Sequence, residues 1–349
     1  MSHVEVGSRK IGPGYPCFIV AEAGVNHNGS VEMATRLVDA AVEAGVDAVK
    51  FQTFKAARLV TPDAPKAYYQ VQATDIGESQ LEMLRRLELS REDHLELFSY
   101  CRRKGILFMS TPFDEESADL LEELGVPAFK IPSGELTNLP FLTHVARKER
   151  AMIVSTGMSY LDEVKDAVQA VAETGNMNLA LLHCVSAYPA NPADVNLRAM
   201  HTMTSAFNVP VGYSDHTLGI EVALAAVALG ACIIEKHFTL DRSLPGPDHQ
   251  ASSEPHELEA LVRGIRTVEK ALGHARKEPA PSEANTAAVA RKSLVAARDI
   301  RAGSILTHES IILRRPGTGL PAAMRSKLVG QKAKWDIPAG TVLTLEMLV

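Results

Sequence analysis

Two histidines lie at the ends of two apolar runs and could together bind a metal ion. His216 lies in the stretch Gly212–Gly219, and His237 lies in the stretch Glu235–Asp241. The residues between them, Ile220–Ala231, are rich in alanine and typical of a helix. Because the strands of a parallel strand–helix–strand unit end at the same edge, both imidazoles can approach one ion. Imidazole pairs suit Mn, Zn, Fe or Ni. The alternative is a pair of inert, hydrogen-bonded loop histidines.

Two lysines lie inside apolar runs, where a charge is costly unless it is paired. They are Lys50 and Lys130. Hydroxyl side chains at Thr111, Ser133 and Ser214 end or follow other apolar runs. Ammonium and hydroxyl donors together suit a ligand that carries both a phosphate and a carboxylate. We therefore expect these side chains to converge on an anionic substrate, although each hydroxyl taken alone is equally compatible with a turn or a helix cap.

Glu22 and Glu135 are the candidate catalytic carboxylates, since each follows an apolar run. A glutamate beside a divalent metal and a bound carbonyl compound can move a proton or hold a hydroxyl. The alternative role for either glutamate is a salt bridge to one of the two lysines. The chain has no Gly-x-Gly-x-x-Gly, Walker, Gly-x-Ser-x-Gly or His-Glu-x-x-His motif, so nucleotide-binding, serine-hydrolase and zinc-protease functions lose their main support.

Short apolar runs recur along the first three quarters of the chain and predict the strands that position these residues. Nearly every gap between them has room for one helix and two loops, which is the rhythm of a (β/α)8 TIM barrel. In that fold the reactive groups gather at the carboxyl ends of the strands. The eight runs are Phe18–Ala21, Ala48–Phe51, Leu107–Ser110, Ala128–Ile131, Met152–Ser155, Leu179–Cys184, Pro210–Tyr213 and Cys232–Glu235.

Helix signals fill most of the gaps between the predicted strands. The patterns Ser90-Arg-Glu-Asp93 and Ser159-Tyr-Leu-Asp162 have the spacing of capping boxes, and each precedes a helical pattern. One gap is too long for a single helix. Residues 55–90 predict an extended loop on the active face, which either closes over a substrate or is a passive insertion.

The chain changes character after Gly273 and predicts a second, smaller domain. We expect a barrel domain over residues 1–273, a proline-bearing linker over 274–290 and a mostly β domain over 291–349. The last of these contains a repeat, because residues 299–311 realign with residues 336–348. Each copy is a turn followed by a short β-like run, so the repeat predicts a small domain of pseudo-twofold symmetry.

Composition restricts the classes of partner. The formal net charge of −6 argues against a nucleic-acid surface, so we expect small molecules or other subunits as partners. The N-terminal residues do not resemble a signal peptide, and the longest apolar run, Val222–Ile234, is too short to span a membrane. The four cysteines form no Cys-x-x-Cys pair and are typical of reduced thiols in a cytoplasmic protein.

Taken in order, the motifs resemble the sialic acid synthase family over nearly the whole chain. The C-terminal repeat domain resembles the antifreeze-like (SAF) domain of that family, in which an arginine reaches the partner's sugar site. The better match for that arginine is Arg315. The motifs that carry the resemblance are Ala21–Gly29, Val49–Thr53, Ser110–Phe113, Phe129–Glu135, Gly212–His216, Glu235–Thr239 and Gly246–Asp248.

The resemblance implies a condensation of phosphoenolpyruvate with N-acetylmannosamine to give N-acetylneuraminate, a nine-carbon 2-keto sugar acid, and phosphate. It implies a divalent metal on His216 and His237, most often Mn²⁺, with Mg²⁺ or Co²⁺ as alternatives, and a homodimer with swapped C-terminal domains. Catalytic roles fall on Glu22, Glu135, His216 and His237. Phosphoenolpyruvate contacts fall on Lys50, Thr111, Lys130, Ser133, Ser186 and Ser214, and sugar contacts on Gln52, Tyr188, Asp248 and Arg315.

Three other functions are compatible with parts of this pattern. The same chemistry on a 2,4-diacetamido-2,4,6-trideoxyhexose would make a legionaminic or pseudaminic acid synthase, which the shared motifs do not separate from a sialic acid synthase. A binding protein whose C-terminal domain holds sugar or ice would have no use for the converging lysines and histidines. A metal-dependent sugar isomerase on the same barrel would not need phosphate-binding lysines.

Overall fold

The computed structural model describes residues 3–74 and 77–349 of the chain. It divides into two compact units, one that ends at Gly273 and one that runs from His274 to Val349. Within the described ranges, no helix is both long enough and apolar enough to cross a membrane. All four cysteines are free and buried.

The first unit begins with a β-hairpin that the sequence analysis did not predict. Strands β1 (Val4–Val6) and β2 (Arg9–Ile11) pair antiparallel. Their buried side chains pack with residues at the beginnings of the barrel strands, such as Phe18 and Ala151. The hairpin therefore covers the amino-terminal end of the barrel, opposite the end where reactive groups gather.

Eight parallel strands form a nearly closed barrel, which confirms the predicted fold class. Neighbouring strands follow the order β5-β4-β3-β10-β9-β8-β7-β6, and β5 and β6 pack against each other without a hydrogen-bonded ladder. Each predicted run overlaps one strand, with ends shifted by three residues or fewer. The strands are β3 Phe18–Gly24, β4 Ala48–Thr53, β5 Leu107–Pro112, β6 Ala128–Ile131, β7 Ala151–Ser155, β8 Leu179–Cys184, β9 Val211–Asp215 and β10 Ile233–His237.

Helices surround the barrel and bury their apolar faces against it. The Ser90 cap is confirmed, because Ser90 Oγ accepts from Asp93 N at 3.1 Å and Asp93 Oδ2 accepts from Ser90 N at 2.7 Å. The Ser159 cap is wrong by one residue, since Glu163 Oε2 instead accepts from Tyr160 N. The helices of this unit are α1 Val31–Ala44, α2 Ala56–Leu59, α3 Tyr68–Ala73, α4 Gln80–Leu87, α5 Arg91–Lys104, α6 Glu115–Leu124, α7 Leu139–Ala146, α8 Leu161–Ala172, α9 Ala199–Phe207, α10 Glu221–Ala228 and α11 Pro255–Leu272.

The long gap between β4 and β5 contains three short helices and is not one extended loop. Helices α2, α3 and α4 all lie within residues 55–90, and residues 75 and 76 of this segment are outside the described residues. Helix α4 begins with a reciprocal capping box, in which Ser79 Oγ accepts from Glu82 N at 3.2 Å and Glu82 Oε2 accepts from Ser79 N at 2.9 Å. The length of the gap and its prolines indicated a loop, but the short helices α2 and α4 pack against the barrel edge.

The second unit is a small β-rich module whose repeat is symmetric in three dimensions. Ile300 and Ile337 exchange both backbone hydrogen bonds, at 2.9 and 2.7 Å. Asp299 Oδ1 accepts from Ala339 N at 2.8 Å, and Asp336 Oδ1 accepts from Ala302 N at 2.7 Å. Since the paired contacts connect equivalent repeat positions, the predicted pseudo-twofold relation is confirmed. The regular elements are α12 Ala284–Ala290, which occupies part of the predicted linker, β11 Ser293–Ala296, β12 Ile311–Arg314 and α13 Arg325–Leu328.

Candidate active site

A cavity of about 430 Å³ opens at the carboxyl ends of the barrel strands. Every predicted site residue except Glu135 and Arg315 lines it. The fold brings these residues together because successive strand ends meet at one face of a barrel. The predicted residues along its wall are Glu22, Lys50, Gln52, Thr111, Lys130, Ser133, Ser186, Tyr188, Ser214, His216, His237 and Asp248.

Two buried lysines form the floor of the cavity, and a glutamate lies between them. Lys50 Nζ donates to Thr111 Oγ1 at 2.8 Å and lies 2.6 Å from Glu22 Oε2. Lys130 Nζ donates to Ser155 Oγ at 2.7 Å. Glu235 Oε1 is 3.8 Å from Lys50 Nζ and 3.6 Å from Lys130 Nζ. The floor therefore holds two cations and several hydroxyls within reach of one anionic ligand.

Burial and the nearby charges shift the pKa values of this cluster. Burial raises the pKa of Glu22 to about 7, against the opposing pull of Lys50. Burial also lowers the pKa of Lys130, and the charge of Lys50 adds to this effect. For Glu235, burial favours the neutral acid, but the attraction of Lys130 and Lys50 prevails and its pKa is lowered. An anion that binds here would contact lysine and glutamate side chains that already interact strongly with one another.

The two histidines face each other at the edge of the cavity. Their ring centroids are 5.3 Å apart. His216 Nδ1–H donates to the Val185 carbonyl at 2.8 Å, which leaves Nε2 with a free lone pair. His237 Nδ1 is buried and has no hydrogen-bond partner, and it lies 3.8 Å from Asp248 Oδ2.

This donor set fits a metal ion that substrate or water also coordinates. No group of three or more His, Cys, Asp or Glu side chains in the described part of the chain is arranged to hold a metal. The protein would thus supply two nitrogens, and the buried, unpartnered Nδ1 of His237 is an atom that such an ion would satisfy. Two protein ligands leave coordination positions open for a reactant.

A buried ion pair connects the strands that precede the two histidines. Lys236 Nζ lies 2.7 Å from Asp215 Oδ2 and donates to the Thr217 carbonyl at 2.8 Å. Asp215 Oδ1 accepts from both the N–H and the hydroxyl of Thr217. Because Asp215 and Lys236 are register partners on β9 and β10, this pair fixes the relative position of His216 and His237.

A second wall of the cavity comes from the insertion between β4 and β5. Tyr69 of α3 packs on Tyr188 with ring centroids 4.9 Å apart, and Tyr188 packs on His216 at 4.1 Å. On the polar side, Gln52 Nε2 donates to Glu22 Oε1 at 3.3 Å. The insertion is therefore in contact with the site through a row of tilted, packed rings.

Comparison with known proteins identifies the family of this chain. The model of the NeuB family matches residues 37–277, and that of the SAF domain matches residues 291–349. The chain belongs to the NeuB family. The predicted resemblance, and the prediction of a synthase rather than a binding protein or an isomerase, are thereby confirmed.

Relatives with NeuB-type sequences match this chain over most of its length. It is 50% identical to an N,N'-diacetyllegionaminic acid synthase of Legionella pneumophila over 97% of each chain. It is 48% identical to the Campylobacter jejuni protein of the same name, over 90% of this chain and 95% of that one. The crystal structure of a sialic acid synthetase from Leptospira borgpetersenii aligns with a TM-score of 0.73, at 38% identity, over 82% of this chain and 95% of that chain.

In this NeuB-family chain the structure does not bring Glu135 into the cavity. Glu135 lies in a single 3-10 turn after β6, and its carboxylate accepts from Asn138 Nδ2 at 2.7 Å. Ser133 and Gly134 of the same turn line the cavity, whereas the side chain of Glu135 does not. Arg315 is exposed in the second unit, where its Nε donates to the Ala290 carbonyl at 3.1 Å.

The polar cavity residues that the sequence analysis missed include Glu235 and Ser155. Both are on barrel strands, and the alternation of side chains along a strand could have found them. Glu235 shares its face of β10 with Ile233 and His237, and Ser155 shares its face of β7 with Ile153.

Proposed function

We propose that this chain condenses phosphoenolpyruvate with 2,4-diacetamido-2,4,6-trideoxymannose to give N,N'-diacetyllegionaminic acid and phosphate. The observation that carries this proposal is the 50% identity, over 97% of both chains, to the legionaminic acid synthase of Legionella pneumophila. The sequence analysis favoured N-acetylmannosamine as the acceptor and gave the legionaminate reaction as the alternative. The comparisons favour that alternative, while a sialic acid synthase remains compatible with the family.

Phosphoenolpyruvate is assigned to the floor of the cavity. Lys50 and Lys130 are both at least 97% buried and provide two cations for the phosphate and the carboxylate. Thr111 and Ser155 already bond to those ammonium groups and hold them in place. The remaining hydroxyls assigned to this substrate are those of Ser133, Ser186 and Ser214.

A divalent metal, most often Mn²⁺, is assigned to His216 and His237. When bound it would supply Lewis-acid polarisation of the sugar aldehyde. The test is calorimetric titration of chelator-stripped protein with Mn²⁺ alone. One strong site in the natural protein that is lost in His237→Ala, with unchanged circular dichroism, supports the assignment; equal binding by the variant overturns it.

The reaction forms one carbon–carbon bond, and at C2 of phosphoenolpyruvate a carbon–oxygen bond to water replaces the carbon–oxygen bond to phosphate. C3 of phosphoenolpyruvate adds to C1 of the open-chain sugar, whose carbonyl oxygen gains a proton, and water adds at C2 before phosphate leaves. Glu235 replaces Glu135 as the carboxylate assigned to that water, since it lies between both lysines and Glu135 lies outside the cavity. Glu22, Gln52, Tyr188 and Asp248 are assigned to orient the sugar.

The active assembly is proposed to be a cytoplasmic homodimer with swapped C-terminal domains. Arg315 is its proposed contact with the partner's sugar site, and its exposed position in the second unit is compatible with that role. The four free thiols are consistent with a reducing compartment. Deletion of residues 292–349 should leave a barrel that uses sugar poorly; a fully active truncated monomer would refute the assembly.

Phosphate release tests the proposed function directly. Chelator-stripped protein is supplied with phosphoenolpyruvate, with and without Mn²⁺, and offered either of the two acylated sugars. Metal-dependent release with the diacetamido sugar preferred supports the proposal. Preference for N-acetylmannosamine would instead establish a sialic acid synthase with the same site, and release with neither sugar would refute both.

A further inference from the structure

The cavity has an apolar wall that the assigned roles leave unexplained. It comes mainly from the insertion between β4 and β5 and includes Leu59 of α2 and Leu84 of α4. Phe113, which follows β5, completes it. All three side chains are half-buried and face a cavity whose other walls carry carboxylates, amides, lysines and hydroxyls.

A buried apolar cluster packs with this wall and holds it in place. Met83 and Leu87 of α4 pack with Val25 and Phe54, and Leu59, Leu84 and Phe113 pack around that cluster. Met83 is only 1% exposed. The half-buried leucines thus rest on a rigid apolar base and are not free to turn away from the cavity.

The two candidate sugars differ in the groups that such a wall can distinguish. Both carry an acetamido group at C2. The diacetamido-trideoxy sugar has a second acetamido group at C4 and a methyl group at C6, where N-acetylmannosamine has a hydroxyl and a hydroxymethyl group. The first sugar therefore presents two additional methyl groups, and burying each against leucine side chains is favourable. N-acetylmannosamine would instead place hydroxyl groups against apolar side chains, where burying a hydroxyl without a hydrogen bond is costly.

We propose that Leu59, Leu84 and Phe113 form the specificity wall of the site and select the sugar whose far end is methylated. This inference rests on the proposed function, because it names the part of the same site that chooses between its two acceptors. It also gives the insertion a role beyond that of a passive loop. Tyr69 of the same insertion contacts Tyr188, so the insertion also reaches the edge of the cavity where the two histidines lie.

The test compares two leucines on the same helix. Leu84→Asn places an amide on the wall, whereas Leu81→Asn makes the same change in a half-buried α4 residue that does not line the cavity. For Leu84→Asn we expect kcat/KM for the diacetamido sugar to fall about tenfold or more, and that for N-acetylmannosamine to change less than about threefold. The KM for phosphoenolpyruvate should be unchanged, because the lysine floor is elsewhere.

The outcomes separate this inference from the function on which it rests. A sugar preference that shifts in Leu84→Asn and in Leu59→Asn, but not in Leu81→Asn, supports the wall. The contrary result is a ratio of the two kcat/KM values that stays unchanged in both wall variants, measured on protein whose circular dichroism matches that of the natural protein. That result would refute the specificity role of the wall and leave the proposed function unaffected. Absence of phosphate release from the natural protein with either sugar overturns the proposed function itself.

Discussion

The ion pair of Lys236 and Asp215 gives the sharpest quantitative prediction. The side chains are 2% and 0% exposed, and the two charged atoms lie 2.7 Å apart. Replacing Lys236 by Met keeps most of the volume of the side chain and removes its charge. The substitution would therefore leave the Asp215 carboxylate buried without its cation, while causing little loss of packing.

The size of the expected loss of stability depends on the hydrogen bonds that Asp215 keeps in the variant. Breaking a buried pair by removing one partner costs about 3–5 kcal/mol of unfolding free energy. Asp215 Oδ1 keeps its two hydrogen bonds from Thr217, so we expect Lys236→Met to lie near the lower end, at about 3 kcal/mol. The double variant Lys236→Met, Asp215→Asn also removes the unpaired buried carboxylate charge, and it should recover about 1–2 kcal/mol of the lost unfolding free energy.

Urea denaturation followed by far-ultraviolet circular dichroism measures this effect on the barrel, which contains most of the helices. The single tryptophan, Trp335, lies in the second unit, so its fluorescence follows that unit separately. The control is Lys104→Met, which removes an ion pair to Asp39 whose side chains are 40% and 39% exposed. That exposed pair should contribute less than about 1 kcal/mol.

Two results would refute this reasoning. If Lys236→Met and Lys104→Met destabilise the barrel equally, burial does not decide the strength of these pairs. If the double variant is no more stable than Lys236→Met, an uncompensated charge is not the cause of the loss. We also expect Lys236→Met to weaken Mn²⁺ binding about tenfold, because Lys236 positions His237 without touching the ion.

The remaining predictions concern the cavity and the C-terminal unit. Glu235→Gln should lower kcat at least about a hundredfold, because its carboxylate lies between the two lysines, whereas Glu135→Gln should change kcat by less than about threefold. Arg315→Ala should raise the KM for the sugar far more than that for phosphoenolpyruvate in steady-state assays. Asp299→Ala should destabilise the C-terminal unit by about 1–2 kcal/mol, measured by Trp335 fluorescence in urea, because it removes the acceptor of the Ala339 N–H.

Each of these has a contrary outcome. Equal losses of kcat in the Glu235 and Glu135 variants would mean that a position in the cavity wall does not distinguish the catalytic carboxylate from the other one. An unchanged sugar KM in Arg315→Ala would remove the argument for a shared site. Asp336→Ala is the matched partner of Asp299→Ala in the repeat, and a large difference between the two would contradict the symmetry of the contacts.

The sequence by itself determined the strands of the barrel, their order and the repeat of the C-terminal unit. Strand positions followed from apolar runs, the Ser90 cap from its spacing to Asp93, and the symmetry of the C-terminal unit from a repeat around Asp299 and Asp336. These features depend on interactions between residues close in the chain or on patterns that recur along it. The motif residues at most strand ends could also be predicted to converge, since a barrel brings all its strand ends to one face.

Only the tertiary structure decided which side chains enter the cavity and what surrounds them. Glu135 and Glu235 both stand near a strand end, but the first is turned out by a 3-10 turn and the second points inward on β10. The apolar wall that includes Leu84 depends on how short helices pack against the barrel edge, as does the contact of Tyr69 with Tyr188. The direction in which a side chain points is set by packing between residues far apart in the chain. Local sequence periodicity carries little information about that packing.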